Sequence, residues 1–195
     1  MIGLFFGTTD FPKKILENIK KKKKKYAVFL DEQLFHHRDF KFQKNTERPV
    51  SEKYFKEINI FFSKFEIKYG LNVVIALHPR TKNINFQRKK YQNRSCFINK
   101  SFELVAQSSL VLLHPSTTSL SLPIIFKKPF YFLVTDEMEN SLTWRIRHEI
   151  RKNIFKENSI NISKVNDFGK ISLINKISLA SANNYFHDYI KNTKT

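Results

Sequence analysis

The sequence predicts an α/β fold, a mostly parallel sheet with flanking helices. Short, nearly continuous apolar runs recur at residues 26–30, 71–77, 110–113 and 130–134. Stretches with helical spacing or helix-capping residues separate them. Each run ends in polar residues suited to a turn. Strands covered on both faces read as unbroken apolar runs, and strand–helix alternation is the pattern of βα units on a parallel sheet.

The elements follow in order. Tyr26-Ala-Val-Phe-Leu30 reads as a buried strand that runs into Asp31-Glu32, with a polar loop continuing to Pro49. Ser51 is placed as an N-cap. Tyr54, Ile58, Phe61 and Phe65, widened by Phe55 and Phe62, form the stripe of an amphipathic helix over 51–68, and Gly70 takes the usual C′ position. Leu71–Leu77 is the next strand, ending in His78-Pro79-Arg80, and a basic loop is expected from there to Arg94. Residues 95–98 form a short strand, and Ser101 caps a helix containing Phe102, Leu104 and Val105. Leu110–Leu113 again ends in His-Pro. Ser116–Ser119 then lead into an apolar helix stopped by Lys127-Lys128-Pro129. Phe130–Val134 is a strand, and Thr135-Asp136-Glu137 starts a helix. Residues 141–156 suit a basic helix, 159–165 an edge strand and 171–191 a closing helix.

The composition bounds the function. The 195 residues suit one domain, and 41% hydrophobic content with 20 Phe supports a sizeable core. Residues 1–25 read as a basic connector, with an unbroken Lys20–Lys25 run, and 26–195 as the α/β domain. The net charge of +18 invites a nucleic-acid reading. Against it, the cations are 27 Lys and 8 Arg, whereas specific base and phosphate recognition leans on Arg. Codon usage rich in A and T would also produce this abundance of Lys, Asn, Ile and Phe. Contact of Lys20–Lys25 with an anionic membrane surface fits better, since lysines near such lipids gain about 1 kcal/mol each. Cys96 is the one cysteine, which excludes an internal disulfide and a cysteine zinc cluster; its apolar setting suits a buried structural thiol. No stretch reaches the roughly 18 apolar residues of a membrane span, and the opening residues do not form a secretory signal. The expected location is the cytoplasm, with peripheral contact at the inner face of the membrane.

Ligands of open parallel sheets bind beyond the carboxyl ends of the strands. Both His-Pro pairs, His78-Pro79 and His114-Pro115, fall at such ends, where each histidine is expected to project over the rim and donate to a phosphate. Ser116, Thr117, Thr118 and Ser119 place four hydroxyls before a helix whose first N–H groups point the same way, an anion site in outline. Glycine-rich dinucleotide and P-loop signatures are missing from a chain with only 4 Gly.

These segments, in this order, resemble the C-terminal half of GT-B glycosyltransferases that build bacterial capsule and lipopolysaccharide chains, the sialyltransferases and polysialyltransferases in particular. The resemblance rests on ALHPR (76–80), SFELV (101–105), STTS (116–119) and FKKPFYFLVTDE (126–137), and covers about residues 26–140. It implies a Rossmann-like sheet forming a single GT-B-type C-terminal lobe that binds a nucleotide-sugar donor, CMP-sialic acid being one candidate, and transfers the sugar to a carbohydrate or glycolipid acceptor. By the same resemblance His78 contacts the donor phosphate and two of the four hydroxyls of Ser116, Thr117, Thr118 and Ser119, those around Ser116 and Thr117, hold it from the helix end. Pro79, Arg80 and His114 join them as the candidate phosphate-binding rim, and Glu103 approaches the base or ribose or is an ordinary exposed first-turn carboxylate. The scheme requires no metal and no cofactor. The catalytic residues are unknown, because the general base of the resembling enzymes comes from an N-terminal acceptor lobe that these 195 residues do not supply. Asp31 and the His36–Asp39 group sit where they could line a cleft, or are simply loop residues. Two other readings stay open: a nucleotide-binding fragment without catalysis, and a Lys-rich module for nucleic acid or a membrane surface.

Overall fold

A computed structural model describes residues 25–34, 51–155 and 159–164, together with Tyr185. The elements are β1 (Tyr26–Leu30), α1 (Ser51–Tyr69), β2 (Asn72–Leu77), α2 (Ile84–Lys90), β3 (Cys96–Ile98), α3 (Ser101–Gln107) and β4 (Leu110–Leu113). A 3₁₀ turn (Thr118–Leu120) leads into α4 (Ser121–Ile125), then β5 (Phe130–Val134), α5 (Asp136–Asn140), α6 (Leu142–Phe155) and β6 (Ser159–Asn161). A second 3₁₀ turn covers Ile162–Lys164.

The strands form one six-stranded sheet in the order β3-β2-β1-β4-β5-β6, and all five pairings are parallel. The α/β expectation holds, and the order is that of a doubly wound Rossmann-type sheet. It reverses between β1 and β4, where Ala27 pairs with Leu110 and Leu30 with Leu113. Connections leaving β1 run one way along the sheet and those leaving β4 the other, the arrangement that in open parallel sheets generally creates a crevice at the carboxyl edge.

Strand alternation divides the core in two. Ala27, Phe29, Val73, Ile75, Leu77, Leu110, Leu112, Tyr131 and Leu133 face α1. Tyr26, Val28, Leu30, Ala76, Val111, Leu113, Phe130 and Phe132 face α3, α4 and the end of α6. Tyr54, Ile58, Phe61, Phe62 and Phe65 of α1 are buried, as their spacing predicts. Phe29 meets the Phe62 ring edge-on at 5.3 Å. A fully buried Phe contributes roughly 1.5–3 kcal/mol of transfer energy, so this stripe dominates the docking of α1. Gly70 closes the helix at φ +61°, a conformation that costs glycine little.

The far end of α1 is fixed by Arg94. Its guanidinium grips Glu66 through Nη2–Oε2 at 2.8 Å and Nε–Oε1 at 3.1 Å, and also reaches Asn59 and Ser63. This bidentate pairing ties the connection between β2 and β3 to α1.

Three expectations need correction. The basic stretch 80–94 is not all loop, because α2 forms within it. Asn83 caps that helix by accepting from the Phe86 N–H, and the helix buries no residue, so it lacks the apolar stripe by which sequence reveals a helix. Ser101 is the first residue of α3 rather than its cap; Lys100 takes that position without a side-chain bond. The segment 159–165 contributes only three strand residues before turning into the 3₁₀ segment. Of the helix expected over 171–191 only Tyr185 is described, and the loop 35–50 and residues 1–24 lie outside the described residues.

Candidate functional site

The carboxyl edge at the reversal is built by three turns, those after β1, β2 and β4. The ladder runs one residue beyond β1, the Asp31 N–H donating to the Ala76 carbonyl at 3.0 Å. Asp31 Oδ1 then accepts from the Gln33 N–H at 3.2 Å and from the buried Tyr91 hydroxyl at 3.0 Å. Gln33, at φ +52°, donates through Nε2 to Thr81 Oγ1 at 2.8 Å, which joins the β1 turn to the β2 turn. On the other side, Ser116 Oγ donates to Glu32 Oε2 and joins the β1 turn to the β4 turn. The two flanking turns are therefore fastened to one central turn.

The β2 turn carries His78, Pro79 and Arg80. His78 is half-buried, whereas Pro79 and Arg80 are exposed. His78 Nδ1 accepts from the Arg80 N–H at 3.1 Å, and the Thr81 N–H closes the turn on the His78 carbonyl at 2.9 Å. A neutral ring whose Nδ1 accepts carries its proton on Nε2, so His78 is set up as an Nε2 donor. Arg80 adds a permanent positive charge beside it.

The β4 turn behaves differently. His114 is 0% exposed. Its Nδ1 lies 2.6 Å from the Leu133 carbonyl, which can only accept, so that nitrogen is protonated. Nε2 is then an acceptor in the neutral ring and accepts a hydrogen bond from the Tyr54 hydroxyl at 2.8 Å. The ring also stands edge-on to Phe29 at 5.4 Å. Burial lowers its pKa from 6.5 to about 4, with the Leu133 bond opposing the shift. The expectation that His114 projects over the rim towards a phosphate is therefore corrected: it is a neutral core histidine bridging α1, β4 and β5.

The hydroxyls after it are also distributed among tasks. Thr117 is buried, and its Oγ1 accepts from the Ser119 N–H at 3.0 Å, capping the 3₁₀ turn. Ser116 and Ser119 are half-buried at the edge, and Thr118 opens the turn. Pro115 is buried beside them. Glu103 is exposed on the first turn of α3.

Charge at the crevice contrasts with the charge of the chain. Asp31 and Glu32 both stand where the strand order reverses, and both push the Tyr54 hydroxyl above its ordinary pKa, after burial, the larger cause. Tyr91 is raised in the same way, by burial first and then by Asp31. Both phenols consequently remain neutral donors. The links made by Glu32, Gln33 and Thr81 depend on β1 lying between β2 and β4, an order that no local pattern in the sequence reveals. Asp31 was visible as a strand-end residue. His36–Asp39 fall outside the described residues.

Cys96 is 3% exposed, its thiol donates to the Arg94 carbonyl at 3.3 Å, and burial pushes its pKa up to about 11, as fits a structural thiol. Of the Lys20–Lys25 run only Lys25 is described, and it is exposed. No helix among the described residues is long and apolar enough to cross a membrane.

The fold and this edge define a Rossmann-type α/β domain with its candidate site at the topological switch point. No family model and no curated protein matches the chain. Among solved structures it is similar to spinosyn forosaminyltransferase SpnP, with a TM-score of 0.41 and 13% identity over 76% of this chain. The chain spans 33% of that protein's length.

Proposed function

We propose that this domain is the donor-binding half of a glycosyltransferase that uses a nucleotide-activated sugar. The observation that carries the reading is the pair of turns flanking β1 at the reversal: His78-Pro79-Arg80 after β2 and Ser116–Ser119 after β4, both fastened to the β1 turn. The donor phosphate lies against the β2 turn, where His78 donates from Nε2 and Arg80 supplies charge. The Ser116–Ser119 segment borders the site on the other side of β1, where Ser116 is held by Glu32 and Thr117 caps the 3₁₀ turn, and Pro79 holds the β2 turn in shape. Glu103 is a secondary contact to base or ribose. Departure of a nucleotide phosphate builds negative charge, and prepositioned donors stabilise it where it develops.

Asp31 and Glu32 sharpen the assignment. Carboxylates repel a phosphate but accept well from hydroxyl groups, so the crevice itself suits the ribose or the transferred sugar, with the phosphate displaced towards Arg80. The resemblance of the motifs favours a bacterial surface polysaccharide or lipopolysaccharide pathway, with CMP-sialic acid as one candidate donor and a carbohydrate or glycolipid as acceptor. The acceptor-side base would come from a second lobe, so nucleotide binding rather than turnover is the direct test. NMR or thermal-shift titration with CMP, CDP and UDP should show saturable binding that weakens about tenfold in His78→Ala, the loss of one charge-assisted hydrogen bond. Absence of binding to all three nucleotides would reject the proposal.

A further inference from the structure

The helix α6 is apolar on two opposite faces. One face is spent on the core: Trp144, His148 and Phe155 are buried, and Phe155 packs against Phe130 at 5.2 Å. The other carries Leu142, Ile146 and Ile150, which are 62%, 51% and 45% exposed. Their four-residue spacing sets them one above the next along a single line. The described surface has other exposed apolar residues, such as Ile67 and Phe86, but within α6 these three form a continuous row about two turns long.

We propose that this row docks the domain onto an anionic lipid surface, with α6 lying in the plane of the interface. Charge complementarity decides the occupant. The helix sequence LTWRIRHEIRKNIF holds four Arg or Lys against one Glu, and the whole chain carries +18. Arg145 is exposed beside the row, between Leu142 and Ile146 in sequence. An interfacial helix combines an apolar row that enters the acyl boundary with cations that meet lipid phosphates, and each cation near such a surface adds about 1 kcal/mol. The helix is too short and too polar to span, so contact is reversible and salt-sensitive. The inference is independent of nucleotide binding, because α6 contributes no residue to the edge described above.

The test is co-sedimentation of the full 195-residue chain with vesicles of phosphatidylcholine alone and with about a third phosphatidylglycerol. Three proteins are compared: the parent, a variant with Leu142→Ser, Ile146→Ser and Ile150→Ser, and a variant with Lys20–Lys25 changed to Gln. The parent should bind the anionic vesicles and not the neutral ones. The triple serine variant should bind them about tenfold more weakly, while the glutamine variant keeps a dependence on the row. Because all three residues are exposed, thermal unfolding of the serine variant should match the parent; Ile146→Ser alone serves as the fallback if it does not. Parent-level binding by a folded serine variant would overturn the proposal, leaving the lysine run as the whole contact. So would self-association through the row in place of vesicle binding.

Discussion

The two His-Pro turns share a dipeptide and differ in everything the fold does with it. Both histidines are the first residue beyond a parallel strand at the carboxyl edge, one step either side of β1. In β2 the odd positions Val73, Ile75 and Leu77 face α1, so alternation carries His78 to the opposite side and leaves it half-exposed at the rim. In β4 the even positions Leu110 and Leu112 face α1, and the same alternation drives His114 beneath that helix, against Tyr54 and Phe29. A one-residue difference in parity separates a half-exposed turn histidine from a piece of the core.

Substitutions should separate the two most sharply. His114→Ala leaves a cavity and removes the hydrogen bonds that His114 makes with Tyr54 and the Leu133 carbonyl, and should cost about 3–4 kcal/mol in urea denaturation. The corresponding His78→Ala change should cost less than about 1 kcal/mol, as expected at a partly exposed turn. Equal losses at the two sites would remove the distinction.

Acid should act through His114. Its folded pKa of about 4 lies below the ordinary 6.5, so between those values the unfolded chain binds more protons. That contribution to stability is complete above about pH 6.5 and is lost as pH falls towards 4, by about 3 kcal/mol in all. In His114→Gln the segment between those pH values should flatten, whereas in His78→Ala it should persist; pH-dependent chemical denaturation reads both.

Two smaller changes probe what surrounds the turns. Tyr54→Phe removes the donor to His114 Nε2 and should destabilise by about 2 kcal/mol, leaving a buried acceptor unsatisfied. Gln33→Ala cuts the link from the β1 turn to Thr81 and should cost about 1 kcal/mol, with chemical-shift changes concentrated at His78–Thr81.

Much of the fold was legible because parallel strands with both faces covered leave continuous apolar runs, and Tyr26–Leu30, Leu110–Leu113 and Phe130–Val134 were delimited from those alone. The helix α2 was not, since a helix that buries nothing has no period to detect. The site was legible only as positions at strand ends. His78, Arg80 and Ser116 do stand at the edge, but the burial of His114 required knowing which face α1 covers. The Glu32–Ser116 contact required knowing that β4 is the neighbour of β1. Local sequence carries strand limits and turn chemistry, whereas strand order is a property of the whole chain.

The most direct measurement of the central claim is an NMR titration of the labelled chain with CMP, CDP and UDP, with His78→Ala and His114→Gln run alongside the parent. The proposed site requires nucleotide-induced shifts that cluster at His78–Thr81 and Ser116–Ser119, with affinity reduced about tenfold in His78→Ala and nearly unchanged in a folded His114→Gln. Shifts confined elsewhere, or identical affinities for parent and His78→Ala, would contradict it.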